Sequence, residues 1–303
     1  MPDEAVSALG AMSQVDVTAD SFEIVDNSDH TMAGTGTNKR ALADFVRFAV
    51  MGDISGLGIT RTPATTDSIT IAAGKIGVNG KLVTQASAAA YSFTSGTRAK
   101  TIAGANITAA ALKKYWIYIS DAGVHAFEDA TSGDAPVWDA TLGYWKATTG
   151  GTLWRRIGAC YTNRSGSGAL VDMVTSGLGR ERRFIFKGYS SAGTAAQDNQ
   201  IRILNGVVGT GSSFINVPIT PFITADDESY EVELLTTDTA GTQVFVSPDG
   251  GASVRGELTA STTVGPPGQR GHAFIPNTGT LHYSNTEATS TLYIDITGVA
   301  MFV

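Results

Sequence analysis

The amino-acid sequence predicts an all-β protein, and three observations carry that prediction. Charged residues make up 16% of the 303-residue chain, against roughly 25% in an average soluble protein. The 35 glycines and the many Ser and Thr residues suit short strands joined by turns, because Gly supplies positive φ and Thr packs well on a pleated surface. Runs rich in Val, Ile, Tyr and Phe recur about every 8 to 20 residues with Gly, Pro, Asn or Asp between them, as in a sandwich or jelly roll.

Residues 1–53 are the exception. Leu42, Phe45, Val46 and Ala49 take the i, i+3, i+4, i+7 positions of one helical face over Lys39–Val50, and Thr37 or Asn38 can cap the first turn. A lone helix of about twelve residues is marginal in water. Together with the extended stretch Asp20–Thr37 it reads as an arm that gains order on a partner or on sister chains.

Strands begin at Ile54. Lys75–Val78 and Lys81–Thr84 flank Asn79-Gly80, the dipeptide suited to the two positive φ angles of a type I′ hairpin. Tyr115–Ile119 and Val124–Phe127 form a second hairpin around Ser120–Gly123, apolar on both faces, and a short helical turn is expected over Ala109–Leu112. Trp154–Tyr161 and Ala169–Val174 follow. All four tryptophans, Trp116, Trp138, Trp145 and Trp154, fall in this middle domain, 54–182.

A C-terminal β-sandwich, jelly-roll-like, is expected over 183–303. Its strands are Phe184–Phe186, Ile201–Leu204, Phe214–Val217, Tyr230–Leu235, Gln243–Ser247, Ala273–Ile275 and Leu292–Ile296, with Pro248–Gly251 as a hairpin turn. The final strand, Ile296–Val303, has no polar tail. An apolar end of that kind is expected to lie buried at the axis of an oligomer, taken as a homotrimer.

Charge and motif content narrow the function. A net charge of −7 with 21 scattered basic residues offers no track for a phosphate backbone, so nucleic acid is excluded as a partner. Arg180, Arg182 and Arg183 beside Glu181 read as a solvated inter-domain segment. Cys160 is the only cysteine, so it forms no intrachain disulfide and packs as a small hydrophobe. No run approaches the roughly 20 apolar residues of a membrane span, and the N-terminus lacks the basic start and apolar core of a secretory signal. Synthesis in a cytoplasm without membrane insertion is therefore expected.

The histidines are His30, His125, His272 and His282. His125 reads as packed within its strand, while His272 and His282 flank a candidate strand pair and could approach each other, although their spacing as ligands matches no zinc pattern. Among the acidic residues Asp226, Asp227, Glu228, Glu231 and Glu233, the last two alternate with Val232 and Leu234 as on the solvent face of a half-buried strand. Gly34–Lys39 lacks the Gly-Lys-Ser/Thr ending of a phosphate loop, and neither Gly-x-Ser-x-Gly nor His-Glu-x-x-His occurs. No catalytic, cofactor or metal residue is assigned, and no enzyme activity is expected. Binding contacts are expected on the loops Ser247–Ser253, Gly265–His272 and Asn277–Asn285, through Arg270, His272, His282 and Tyr283.

Ile24-Val25-Asp26-Asn27-Ser28-Asp29, followed by Gly36-Thr37-Asn38-Lys39 and the short helix, resembles a segment near the start of bacteriophage tail-fibre and related virion proteins. Ile69–Gly74, Tyr115–Tyr118 and Trp154–Gly158 are similar in texture to the β-domains of phage fibres and adhesins. The resemblance implies a homotrimer in the virion, assembled in the host cytoplasm. Ile24, Val25, Asp26, Leu42, Phe45 and Val46 would then anchor the arm to other tail or capsid proteins, and the C-terminal domain would meet a host cell-surface glycan or protein. It leaves two alternatives open: a capsid fibre, tail or baseplate protein without receptor binding, and a fibre-borne polysaccharide-degrading enzyme.

Overall fold

The computed structural model describes residues 53–303 except 64, 132–133, 151–152, 164–167, 177–179, 187–200, 209–210, 218–227, 237–242, 253–255, 260–269, 277–280 and 286–290. The arm, its helix, its six anchoring residues, His30 and the Gly34–Lys39 loop lie outside the described residues. Within them the protein is all-β, 62% strand with no helix.

Six short strands come first: β1 (Ile54–Gly56), β2 (Ile59–Arg61), β3 (Ser68–Ile71), β4 (Gly74–Val78), β5 (Lys81–Gln85) and β6 (Ala89–Ser92). They form two antiparallel sheets, β1-β4-β5 and β2-β3-β6. The β4–β5 hairpin turns at Asn79 (φ 51°) and Gly80 (φ 70°), with Val78 opposite Lys81, which is the positive-φ pair that a type I′ turn demands. Where β1 ends against β4, at the Gly56–Gly74 pair, the backbones approach so closely that a Cβ on Gly74 would lie 2.3 Å from the Ser55 carbonyl oxygen.

Five strands follow: β7 (Lys114–Ser120), β8 (His125–Asp129), β9 (Pro136–Asp139), β10 (Tyr144–Ala147) and β11 (Trp154–Tyr161), in the order β8-β7-β11-β10-β9. Every residue of β7 is buried, as its unbroken apolar run predicts for a strand covered on both faces. The expected helical turn at Ala109–Leu112 is instead a tight turn, with Leu112 at φ 53°. Its backbone donors are taken from outside. Leu112 N–H bonds the Asn163 carbonyl and Lys113 N–H the Thr162 hydroxyl, each at 2.8 Å, so no i→i−4 ladder forms.

The last ten strands are β12 (Met173–Ser176), β13 (Glu181–Phe186), β14 (Ile201–Val208), β15 (Gly211–Val217), β16 (Glu228–Thr236), β17 (Gln243–Ser247), β18 (Gly256–Thr259), β19 (Arg270–Pro276), β20 (Leu281–Asn285) and β21 (Thr291–Phe302). One sheet runs β12-β13-β21-β16-β19 with β14 also on β21, and another runs β15-β20-β17-β18. The first sheet recruits strands from both sides of residue 182. A single buried apolar cluster spans Ile54 to Val303.

Two expectations are corrected here. The apolar end is covered within its own chain: β21 pairs β16 along its length, with β14 and β13 sharing its other edge. Val299, Met301 and Val303 are accordingly buried, and no oligomer axis is needed to hide them. Nor is Arg180–Arg183 a solvated segment. In β13 the residues Arg182, Phe184 and Phe186 face inward while Glu181, Arg183 and Ile185 face out, so strand periodicity carries one arginine into the core.

That arginine belongs to a set of buried guanidiniums. Arg182 donates to the carbonyls of Leu57 (2.7 Å) and Gly56 (2.5 Å). Arg155 donates to those of Gly77 (2.9 Å) and Val303 (3.3 Å), and Arg156 to that of Phe302 (2.6 Å). Burial pushes Arg155 down to about 9 and Arg182 to about 10, so both stay charged at neutral pH. Fork-shaped donors of this kind satisfy carbonyls left bare where strands of different sheets abut, and here they tie the small N-terminal sheets and β11 to the last strand.

Candidate binding surface

The turn after β17 is built by side-chain hydrogen bonding. The Ser247 hydroxyl donates to Asp249 Oδ1 (2.7 Å) and accepts from the backbone N–H of Asp249 (3.3 Å) and Gly251 (2.9 Å), a local arrangement of the kind Ser and Asp favour in turns. Asp249, Gly250 and Ala252 stand exposed. His282, half-buried on β20, accepts the Gly250 N–H at Nδ1 (3.2 Å). The structure thus brings one expected contact residue, His282, onto one expected loop.

The other three lie elsewhere. Arg270 and His272 belong to β19, opposite Leu235 and Glu233 of β16, so the second expected loop ends in a strand. His272 and His282 sit in different sheets rather than on a common strand pair. Tyr283, expected on a loop, lies in β20 between Ile215 and Val246 and is only 3% exposed. Burial raises its hydroxyl above the ordinary tyrosine range. The side chains flanking it in sequence carry hydrogen-bonding groups, which is why its inward direction did not show in composition.

Asp226 and Asp227 lie outside the described residues, and the alternation is seen in β16 from Tyr230 to Val232. Tyr230, Val232 and Leu234 are buried, and Glu231 between them pairs with Arg183 across β21. A Cβ on Gly298 would lie 3.2 Å from that carboxylate, so the small residue of the central strand leaves room for the pair to close over it. Among the described residues no group of three or more His, Cys, Asp and Glu converges.

In the middle sheet His125 is buried and its Nδ1 shares a 2.9 Å hydrogen bond with the Tyr91 hydroxyl. Desolvation holds the ring down to about 4, so it is neutral at pH 7. Cys160 is buried, and desolvation pushes its thiol far above the ordinary range, the mark of a packed hydrophobe rather than a nucleophile.

An aromatic cluster that residue patterning missed sits on the outer hairpin of this sheet. Trp138 of β9 and Trp145 of β10 are cross-strand partners, with ring centroids 5.8 Å apart. Trp138 also meets Phe302 of β21 at 5.8 Å, and the Arg156 guanidinium lies 4.9 Å from the Trp145 ring. Asp139 fixes the hairpin tip by accepting the N–H groups of Thr141 (2.9 Å) and Leu142 (3.0 Å) and pairing with Lys146 at 2.8 Å. Arg180 holds the tip from β13's side through the Gly143 carbonyl at 2.9 Å. The only signal in the sequence was two tryptophans separated by a turn-forming stretch. Compared with protein-family models and with curated proteins, the chain matches none.

Proposed function

We propose that this chain is a non-enzymatic structural protein of a bacteriophage particle, a homotrimeric tail fibre or adhesin that attaches through residues 1–53 and meets the host surface with its β-rich part. The observation that carries the reading is the segment Ile24–Lys39 with its following helix, which resembles the attachment segment of virion fibre proteins. The all-β character of the described residues supports it, since loops on a rigid β scaffold can vary without disturbing the core. Trimerisation rests on that resemblance and on the coreless arm, because the apolar end of the chain is already covered by β13, β14 and β16.

Gold-labelled antibody against residues 54–303 should decorate the outer end of fibres on intact phage particles. Light scattering on the purified full-length chain at micromolar concentration should return three times the 31.5 kDa chain mass. Particles without label, or a monomeric mass, would overturn the corresponding half of the proposal.

A further inference from the structure

We infer that Trp138, backed by Trp145 and Phe302, is a stacking platform for a pyranose ring of a surface glycan. The assignment deepens the adhesin reading and rests on it for its biological setting. It moves a sugar contact from the C-terminal loops to the outer hairpin of the middle sheet.

Three features lead there. Trp138 is 39% exposed, among the few large apolar side chains in the described residues that face outward. It is also held: Trp145 and Phe302 pack against it, while the Asp139 turn and the Arg180 bond immobilise the hairpin. A rigid aromatic loses little freedom on binding, so more of its contact energy appears as affinity. The surface beside it is polar. Glu181 stands opposite Phe302 in the β13–β21 ladder and is exposed.

An exposed aromatic ring with a carboxylate on the neighbouring ladder position of its Phe302 partner matches a sugar, which offers C–H groups on one face and hydroxyls around its rim. A protein partner of ordinary affinity would need roughly 20–30 residues a side, far more than this cluster supplies. The exposed Glu181 carboxylate does not suit an anionic lipid surface. A nucleobase would need a basic track for its phosphates, and the net charge is −7.

The test uses the purified full-length chain on an array of bacterial surface oligosaccharides, comparing wild type with Trp138→Ala, Trp138→Phe and Arg270→Ala. Thermal melts by circular dichroism confirm that each variant folds. Wild type and Arg270→Ala should bind the same glycans, Trp138→Ala should lose about tenfold or more in affinity, and Trp138→Phe should retain part of it. A folded Trp138→Ala that binds like wild type, or a wild type that binds no sugar on the array, overturns the inference. Label on virions with glycan binding indifferent to Trp138 would sink this site alone. Trp138-dependent glycan binding by a chain absent from virions would sink the virion reading and leave the site standing.

Discussion

Acid should destabilise this protein through His125, and the size of the effect follows from where the ring sits. The imidazole is 5% exposed, bonded through Nδ1 to Tyr91, with its Nε2 buried and unpaired among the described residues. Burial lowers its pKa from 6.5 to about 4. Above pH 6.5 the ring is neutral in both folded and unfolded chains, and the site contributes its full stability. As pH falls from 6.5 towards 4 the unfolded chain takes up a proton that the folded chain refuses, so stability drains away. At about 1.4 kcal/mol per pH unit the loss approaches roughly 3 kcal/mol by pH 4, a large share of the ~5–15 kcal/mol that holds a typical domain folded.

Glu128 on the same strand is buried and its carboxyl is raised by desolvation. Its contribution has the opposite sign, since folding regains stability once that carboxyl is protonated. The comparison must therefore be against a variant that removes His125 alone. His125→Asn keeps a hydrogen-bonding group near Nδ1 and cannot titrate. Urea denaturation of both proteins, followed by tryptophan fluorescence at half-unit intervals from pH 7.5 to 4, gives the two stability profiles. Wild type should fall about 2–3 kcal/mol further than His125→Asn over that range. Profiles that stay parallel would mean that the folded protein does protonate this ring near pH 6.5, and the argument from burial would fail.

Gly158→Ala should destabilise by about 1–3 kcal/mol through overpacking, because its Cβ would lie 2.6 Å from Ile59 Cδ1 and 2.7 Å from Phe184 Cζ; a denaturation midpoint measures it. Arg182→Met should cost about 1–3 kcal/mol by the same assay, since it removes the donor to the buried Leu57 carbonyl. Gly80→Ala should cost about 1 kcal/mol, the penalty for placing a Cβ at φ 70° in the β4–β5 turn, and Asn79-Gly80 restored should recover it. Removal of residues 1–53 should leave a chain with an unchanged β-type circular dichroism spectrum that no longer joins virions, and normal packaging of the truncated chain would place the anchor elsewhere.

Local chemistry made much of this fold legible in advance. Asn79-Gly80 specified its hairpin because positive φ is a property of those two residues and needs no distant partner. Tyr230 to Leu234 announced a half-buried strand because inward and outward side chains alternate along any strand, and the Ser247–Gly251 turn was readable from Pro, Asp and Gly. Direction and partnership were not. Arg182 looked like one more surface charge until β13 paired with β21 and turned it inward, and Tyr283 looked like a loop residue until β20 was set between β15 and β17. The apolar end at Val299–Val303 could be covered by a sister chain or by its own strands with equal chemical sense. Which strand lies beside which is decided by contacts between residues more than a hundred positions apart, such as Arg155 with Val303 and Gly56 with Arg182, and no short stretch of sequence encodes them. The all-β class and the turns were thus determined by the sequence alone, whereas the buried arginines, the covered C-terminal strand and the meeting of Trp138 with Phe302 were decided only by tertiary packing, because each needs a neighbour that chain order does not supply.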